Sequence, residues 1–378
     1  MIKSMNNKNL HIMKKAIILA ASALALLACT RSAMEQPQEV EPIGFAPNAL
    51  NTKALILPGN DTTGDFPQDQ TFNVFAFADF DGPYADAYKP IYKTPLMNDV
   101  EISYQNGDWK ATNGTYVWSA TGSVDFYAYH PGSITAAFDS VAVKLNLNGV
   151  NLGNTVGNQI DPLVAGIRNQ LATAKPKPKV QLVFKHITSQ IAVTAYDATQ
   201  TVSLQGKIFI KSVKFTNMRT SGDYTEGTTI GAGEWSNLNT LTDFTSFSGK
   251  QLLSTTESYL SDGAFSNSID NSAAFVVIPG PVESEAINNP QTIEVKYEIG
   301  PYTINGFNYP PTATQTVTIP LYGKVSANML QNGKRYVFHI GISMDGANNE
   351  IMFAPKVEGW VTEDISGITI DAVNAALL

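Results

Sequence analysis

Apolar and polar positions alternate with a period of two along most of the chain, which is the pattern of half-buried strands. Phe72-Asn73-Val74-Phe75-Ala76-Phe77-Ala78 alternates large groups with small or polar ones. Val124-Asp125-Phe126-Tyr127-Ala128-Tyr129 predicts a second strand, bounded by Thr121-Gly122-Ser123 and closed by His130-Pro131-Gly132. Leu182, Phe184 and His186 fall on one face of a third, and Ile191, Val193 and Ala195 continue the alternation after Thr188-Ser189-Gln190. Further runs at 208–215, 274–278, 292–299, 314–321 and 335–342 are separated by Gly, Pro, Asn or Asp clusters. Residues 161–174 are the one interior segment that reads as a helix. Nothing resembles a βαβ alternation, so the expected architecture is all-β, in antiparallel sandwiches rather than a parallel sheet.

A different pattern opens the chain. Ala16 begins a continuous apolar run that ends at Cys29, preceded by Lys14 and Lys15. The run has the length of a secretory h-region and is short for a membrane span. Leu26-Leu27-Ala28-Cys29 has the form of a bacterial lipobox, so residues 1–28 are expected to be a signal peptide and Cys29 the lipidated N-terminus. Among the possible starts Met1, Met5 and Met13, the last is the most natural, because it places the lysine pair directly before the apolar stretch. The alternative is a signal peptide with an incidental cysteine.

Without the signal about 350 residues remain, enough for two domains with full cores. The best boundary is Lys175-Pro176-Lys177-Pro178-Lys179, where the prolines fix φ and the like charges repel. It divides the chain into an N-terminal domain, 54–178, and a C-terminal domain, 179–378, after a propeptide at 29–53. A loop inside one domain is the other reading of the same stretch. Cys29 is the only cysteine, so the exported part has no internal disulfide and no thiol or Cys-based zinc chemistry. Thirty-three acidic residues against 25 basic give a net charge of -8, which argues against a nucleic-acid partner.

Candidate chemistry is sparse. Of the four histidines, His186 and His339 lie in alternating strands, where a hydrogen-bonded structural role is expected. There is no His-Glu-x-x-His, no Gly-x-Ser-x-Gly and no Gly-rich phosphate loop before a helix. Asp79-Phe80-Asp81-Gly82 lacks the ligand spacing of an EF-hand and reads as a surface turn. No catalytic residue, metal site or cofactor is expected. The tryptophans, Trp109, Trp118, Trp235 and Trp360, would form a sugar-stacking platform if exposed. That gives an alternative function, a surface glycan-binding lipoprotein.

Several segments, in order, resemble the fimbrillin family of Bacteroidales, the pilins of type V pili, and in particular its Mfa-like group. They are Thr52-Lys53-Ala54; Tyr116-Val117-Trp118-Ser119 with the 124–131 segment; Val180-Gln181-Leu182-Val183-Phe184-Lys185-His186; and Asn332-Gly333-Lys334-Arg335-Tyr336-Val337-Phe338. The resemblance implies two transthyretin-like antiparallel β-sandwich domains. It also implies export as a lipoprotein through the periplasm to the outer membrane, trimming by a trypsin-like protease, and polymerisation with other fimbrial subunits by strand donation. A host or bacterial surface receptor is a further implied partner. Cleavage is expected between Lys53 and Ala54; the family often has arginine at the first of these positions, so Lys53 argues against an arginine-specific protease.

A sandwich lacking one strand exposes an apolar groove with unpaired backbone groups, and an alternating segment can fill it. Residues 365–373 form such a segment, with Ile368, Ile370 and Ala372 facing one way as the expected donor strand. The other reading is that the tail is the last strand of its own domain. Ile43 and Phe45 are expected to fill the groove before proteolysis.

Overall fold

A computed structural model describes residues 41–49, 66–79, 95–118, 122–156, 158–171, 177, 179–261, 264–266, 274–284, 288–304, 306–345, 361–365 and 369–371. The first nine strands are β1 (Phe45–Ala49), β2 (Phe72–Asp79), β3 (Pro95–Gln105), β4 (Asp108–Ala111), β5 (Ser123–His130), β6 (Thr135–Asp139), β7 (Lys144–Asn151), β8 (Leu163–Leu171) and β9 (Val180–His186). They are followed by β10 (Ser189–Asp197), β11 (Ile208–Thr225), β12 (Glu234–Leu252), β13 (Ser258–Ser261), β14 (Ala264–Ser266), β15 (Phe275–Val277), β16 (Gly280–Pro281) and β17 (Thr292–Ile299). The last are β18 (Tyr302–Ile304), β19 (Phe307–Tyr309), β20 (Gln315–Pro320), β21 (Met329–Leu330), β22 (Lys334–Ser343), β23 (Val361–Ile365) and β24 (Thr369–Asp371). Among the described residues the only helical segments are two short 3-10 turns, Val202–Leu204 and Ser326–Asn328. The chain is all-β.

One sheet closes on itself in the order β1-β4-β3-β2-β5-β8-β9. Its interior holds Phe45, Phe66, Phe72, Trp109, Phe126, Leu182 and Phe184. A second sheet runs β14-β13-β10-β22-β23, and a third runs β20-β17-β11-β7-β6. The second core lies between residues of these two, including Ile191, Phe215, Val295, Tyr336 and Phe338. A third cluster joins the outer face of β2 and β5 to Leu145, Leu147, Tyr224, Val276 and Val337. Covered on both faces, β5 is buried at every position, and Val124, Phe126, Tyr127, Ala128 and Tyr129 fill both sides.

The structure corrects one expectation and adds two features that the local pattern does not carry. Residues 161–174 do not form a helix: Leu163–Leu171 is strand β8, paired antiparallel to β5 and β9. Burial of Leu163, Val164 and Ala165 between layers outweighs the local helical pattern. The sheets are not purely antiparallel, because β10 pairs in parallel with β22 over nine residue pairs, from Ser189↔Lys334 to Asp197↔Ile342. Such long-range pairing leaves no signature in a local window. Strand pairing crosses residues 178/179: β9 lies beyond that point and pairs with β8 and β1, whereas β7 lies before it and pairs with β11.

The longest hairpin, β11–β12, binds the first sheet through its tip. Ile230 sits over Gly166 of β8, where a Cβ would come within 2.7 Å of its Cδ1, so a larger residue here would require the isoleucine to shift. Lys185 of β9 donates to the Ile230 carbonyl at 3.0 Å.

Candidate functional site

The closed sheet is completed by a strand from the beginning of the chain. β1 lies between β9, with which it pairs in parallel from Phe45↔Val180 to Ala49↔Phe184, and β4, which it meets at Phe45↔Trp109. Alternation decides its orientation: Ile43, Phe45 and Pro47 are buried, while Gly44, Ala46 and Asn48 lie on the outer face. Phe45 is 1% exposed and meets the edges of Phe72 and Phe126 at 5.9 Å between ring centres. The Val180 amide donates to the Gly44 carbonyl at 2.9 Å, and the Ile43 amide to the Tyr116 carbonyl at 2.8 Å. Phe66 closes the end of this interior against Trp109 and Phe184, at 5.5 and 4.9 Å. β1 therefore occupies an apolar groove whose walls are β4 and β9, and Ile43 and Phe45 lie within it.

The remaining sequence-derived sites divide into two groups. Cys29, Lys53, Ala54, Ile368 and Ala372 lie outside the described residues, as do Phe80, Asp81 and Gly82. Ile370 lies in β24, paired in parallel with Ile342 of β22. β23 pairs with the same strand, from Lys334↔Val361 to Phe338↔Ile365. The tail segments thus form the edge of a sheet of their own chain. Trp109 and Trp118 are buried, and Trp235 packs on Tyr224 while its indole N–H donates to the Ile187 carbonyl at 2.8 Å. None of the three offers the exposed face a sugar platform needs; Trp360 is outside the described residues.

Several buried polar groups bind one another. Asp161 accepts from the Thr188 hydroxyl at 2.7 Å and pairs with His186 at 2.6 Å. His339 contacts Glu257 and Thr194. Burial acts against the Glu257 carboxylate, yet the bonds from His339 and Thr194 outweigh it and hold its carboxyl below its usual range. Glu226, at the base of the β11–β12 tip, accepts from the Gly227 and Gly231 amides at 3.0 Å each. Burial pushes its carboxyl up to about 7 in spite of those bonds. Among the described residues no group of three or more metal-ligating side chains exists, and no helix is long and apolar enough to cross a membrane.

The histidines and carboxylates described above bond within the fold, and the closed sheet is completed by an N-terminal strand of the same chain. Two solved structures have similar folds. A fimbrial protein from Bacteroides vulgatus is 17% identical and superposes with a TM-score of 0.51, covering 84% of this chain and 99% of its own. A candidate cell adhesion protein from Bacteroides uniformis is 16% identical, with a TM-score of 0.44 and coverages of 84% and 99%. No curated protein matches the chain. The chain belongs to the fimbrillin-like family, whose model matches residues 52–360. It is accordingly a fimbrial subunit or adhesin of a surface appendage and not an enzyme.

Proposed function

We propose that this chain is a type V fimbrial subunit, exported through the periplasm as a lipoprotein anchored to the outer membrane by Cys29, trimmed after Lys53 and assembled by strand donation. The observation that carries the reading is the position of β1, whose Ile43 and Phe45 fill the groove between β4 and β9. Lys53 lies four positions beyond Ala49, the end of β1. A cut there severs β1 from the rest of the sheet. Each of the two buried side chains contributes about 1.5–3 kcal/mol by removal from water, so a vacated groove favours a new apolar strand. The tail supplies one, with Ile368, Ile370 and Ala372 on one face. The position of β24 at the edge of its sheet supports this role, since an edge strand leaves without dividing the sheet.

In the same reading the chain has two transthyretin-like sandwich domains, 54–178 and 179–378, with β9 completing the first sheet from beyond the boundary and β7 joining the third from before it. The partners are other fimbrial subunits, of the same or a different kind, and a host or bacterial surface receptor. Incubation with trypsin should shorten the purified precursor and yield polymers visible by electron microscopy. The Lys53→Gln variant should remain uncut at that site and monomeric; polymers formed equally by this variant would overturn the proposed maturation step.

A further inference from the structure

We propose that Lys179 and Asp108 form a strap over the outer face of the β1 groove that admits only small side chains beneath it and so sets the register of the strand that fills the groove. The proposal rests on the strand-donation reading and adds to it a register-determining pair.

The pairing register locates the strap. Phe45 lies beside Val180 on one side and Trp109 on the other. Because β9 is parallel to β1, Lys179 stands beside Gly44; because β4 is antiparallel, Asp108 stands level with Ala46. Lys179 and Asp108 thus flank β1 on its outer face, and Lys179 Nζ reaches Asp108 Oδ1 at 2.5 Å. The ion pair crosses the backbone diagonally between Gly44 and Ala46. The lysine stem covers Gly44: a Cβ added there would lie 3.7 Å from Lys179 Cγ, an ordinary contact. Alanine fits in that space, whereas a longer side chain must push the stem aside and break the pair. Both outward residues under the strap, Gly44 and Ala46, are small, although Asn48 just beyond is not. Both charged groups are half-exposed, at 55% each, so removing the strap costs the fold little.

The tail carries the same pattern as β1. Gly44-Phe45-Ala46-Pro47-Asn48-Ala49 and Gly367-Ile368-Thr369-Ile370-Asp371-Ala372 both read glycine, apolar, small, apolar, Asn or Asp, alanine. A strand entering in the direction of β1 with its isoleucines inward has three registers that keep both isoleucines at or beyond the Phe45 position or its Ile43 neighbour and leave no alanine at the Phe45 position. Placing Ile368 at the Phe45 position puts Gly367 beneath Lys179. Placing Ile370 there puts Thr369 beneath Lys179 and Asp371 beside Asp108, where like charges repel. Placing Ser366 there puts Ile365 under the strap and a serine in the apolar groove. Without the strap the first two registers differ little in buried apolar surface. With it, the first is favoured.

The test uses labelled peptides spanning residues 361–378, added to protein trimmed after Lys53, with binding read by fluorescence anisotropy. The wild-type peptide should bind and Gly367→Ala should bind within about twofold, whereas Gly367→Leu should weaken binding by about fivefold. On trimmed Lys179→Ala protein, the Gly367→Leu peptide should recover most of that loss. Equal binding of the Gly367→Leu and wild-type peptides, or a defect that Lys179→Ala does not relieve, would overturn the strap while leaving donation intact. Failure of the wild-type peptide to bind either trimmed protein would overturn donation itself, and the strap with it.

Discussion

Replacing Phe45 by alanine tests whether β1 is a separable strand. The ring is buried to 1% exposure and touches the edges of Phe72 and Phe126, so its deletion leaves a cavity that the rigid aromatic walls fill poorly. Loss of a buried phenylalanine costs about 3–5 kcal/mol. If β1 can detach while the remainder stays folded, that cost falls on local opening of β1. The Val180 amide, which donates to the Gly44 carbonyl, should then exchange with solvent deuterium faster by about two to three and a half powers of ten, at about 1.4 kcal/mol per tenfold. The Leu253 amide, which donates to the Ile208 carbonyl in the other core, should keep its rate. Hydrogen exchange read by NMR or by fragment mass spectrometry separates the cases. Equal acceleration at Val180 and Leu253 would mean that β1 is inseparable from the global fold, and an unchanged Val180 would mean that Phe45 does not hold the strand; either refutes the reasoning.

Three further outcomes follow from the same description. Glu226 is held at about 7 against an ordinary 4.5 by burial; because the folded state binds this proton more tightly, its stabilisation is complete below about pH 4.5 and is lost as pH rises through about 7, on the order of 3 kcal/mol. Denaturant titrations of Glu226→Gln should lack that decline, and a parallel pH profile for variant and wild type would contradict the assignment. Changing Cys29 to Ala should abolish lipidation, read as loss of partitioning into the detergent phase. Replacing Ile368 and Ile370 by Asp should leave the trimmed monomer with a cooperative melt in circular dichroism while eliminating polymers, since unpaired charge in an apolar groove is strongly unfavourable; an unfolded monomer would assign the tail to its own domain instead.

What the sequence disclosed depended on how local each determinant was. β2, β5, β9 and β22 were legible because a covered strand must carry closely spaced apolar groups, and these four do. β12 was missed: its residues are largely Ser, Thr and Asn with most positions exposed, and its partner β11 holds it in place more than its own composition does. β8 was misread because apolar residues buried on both faces carry no period of two. At the site, alternation correctly placed Ile43 and Phe45 inward. Their partners Phe72, Phe126 and Phe184 come from three distant strands, and no local pattern joins them. Lys179 and Asp108 were illegible for the same reason: they are 71 positions apart, brought together only by β1 lying between β9 and β4.

If β1 occupies its groove only until assembly, subunits dissociated from purified surface fibres should, by mass spectrometry, begin at Ala54 and lack Ile43 and Phe45. Fibres whose subunits begin at a lipidated Cys29 and retain β1 would contradict this.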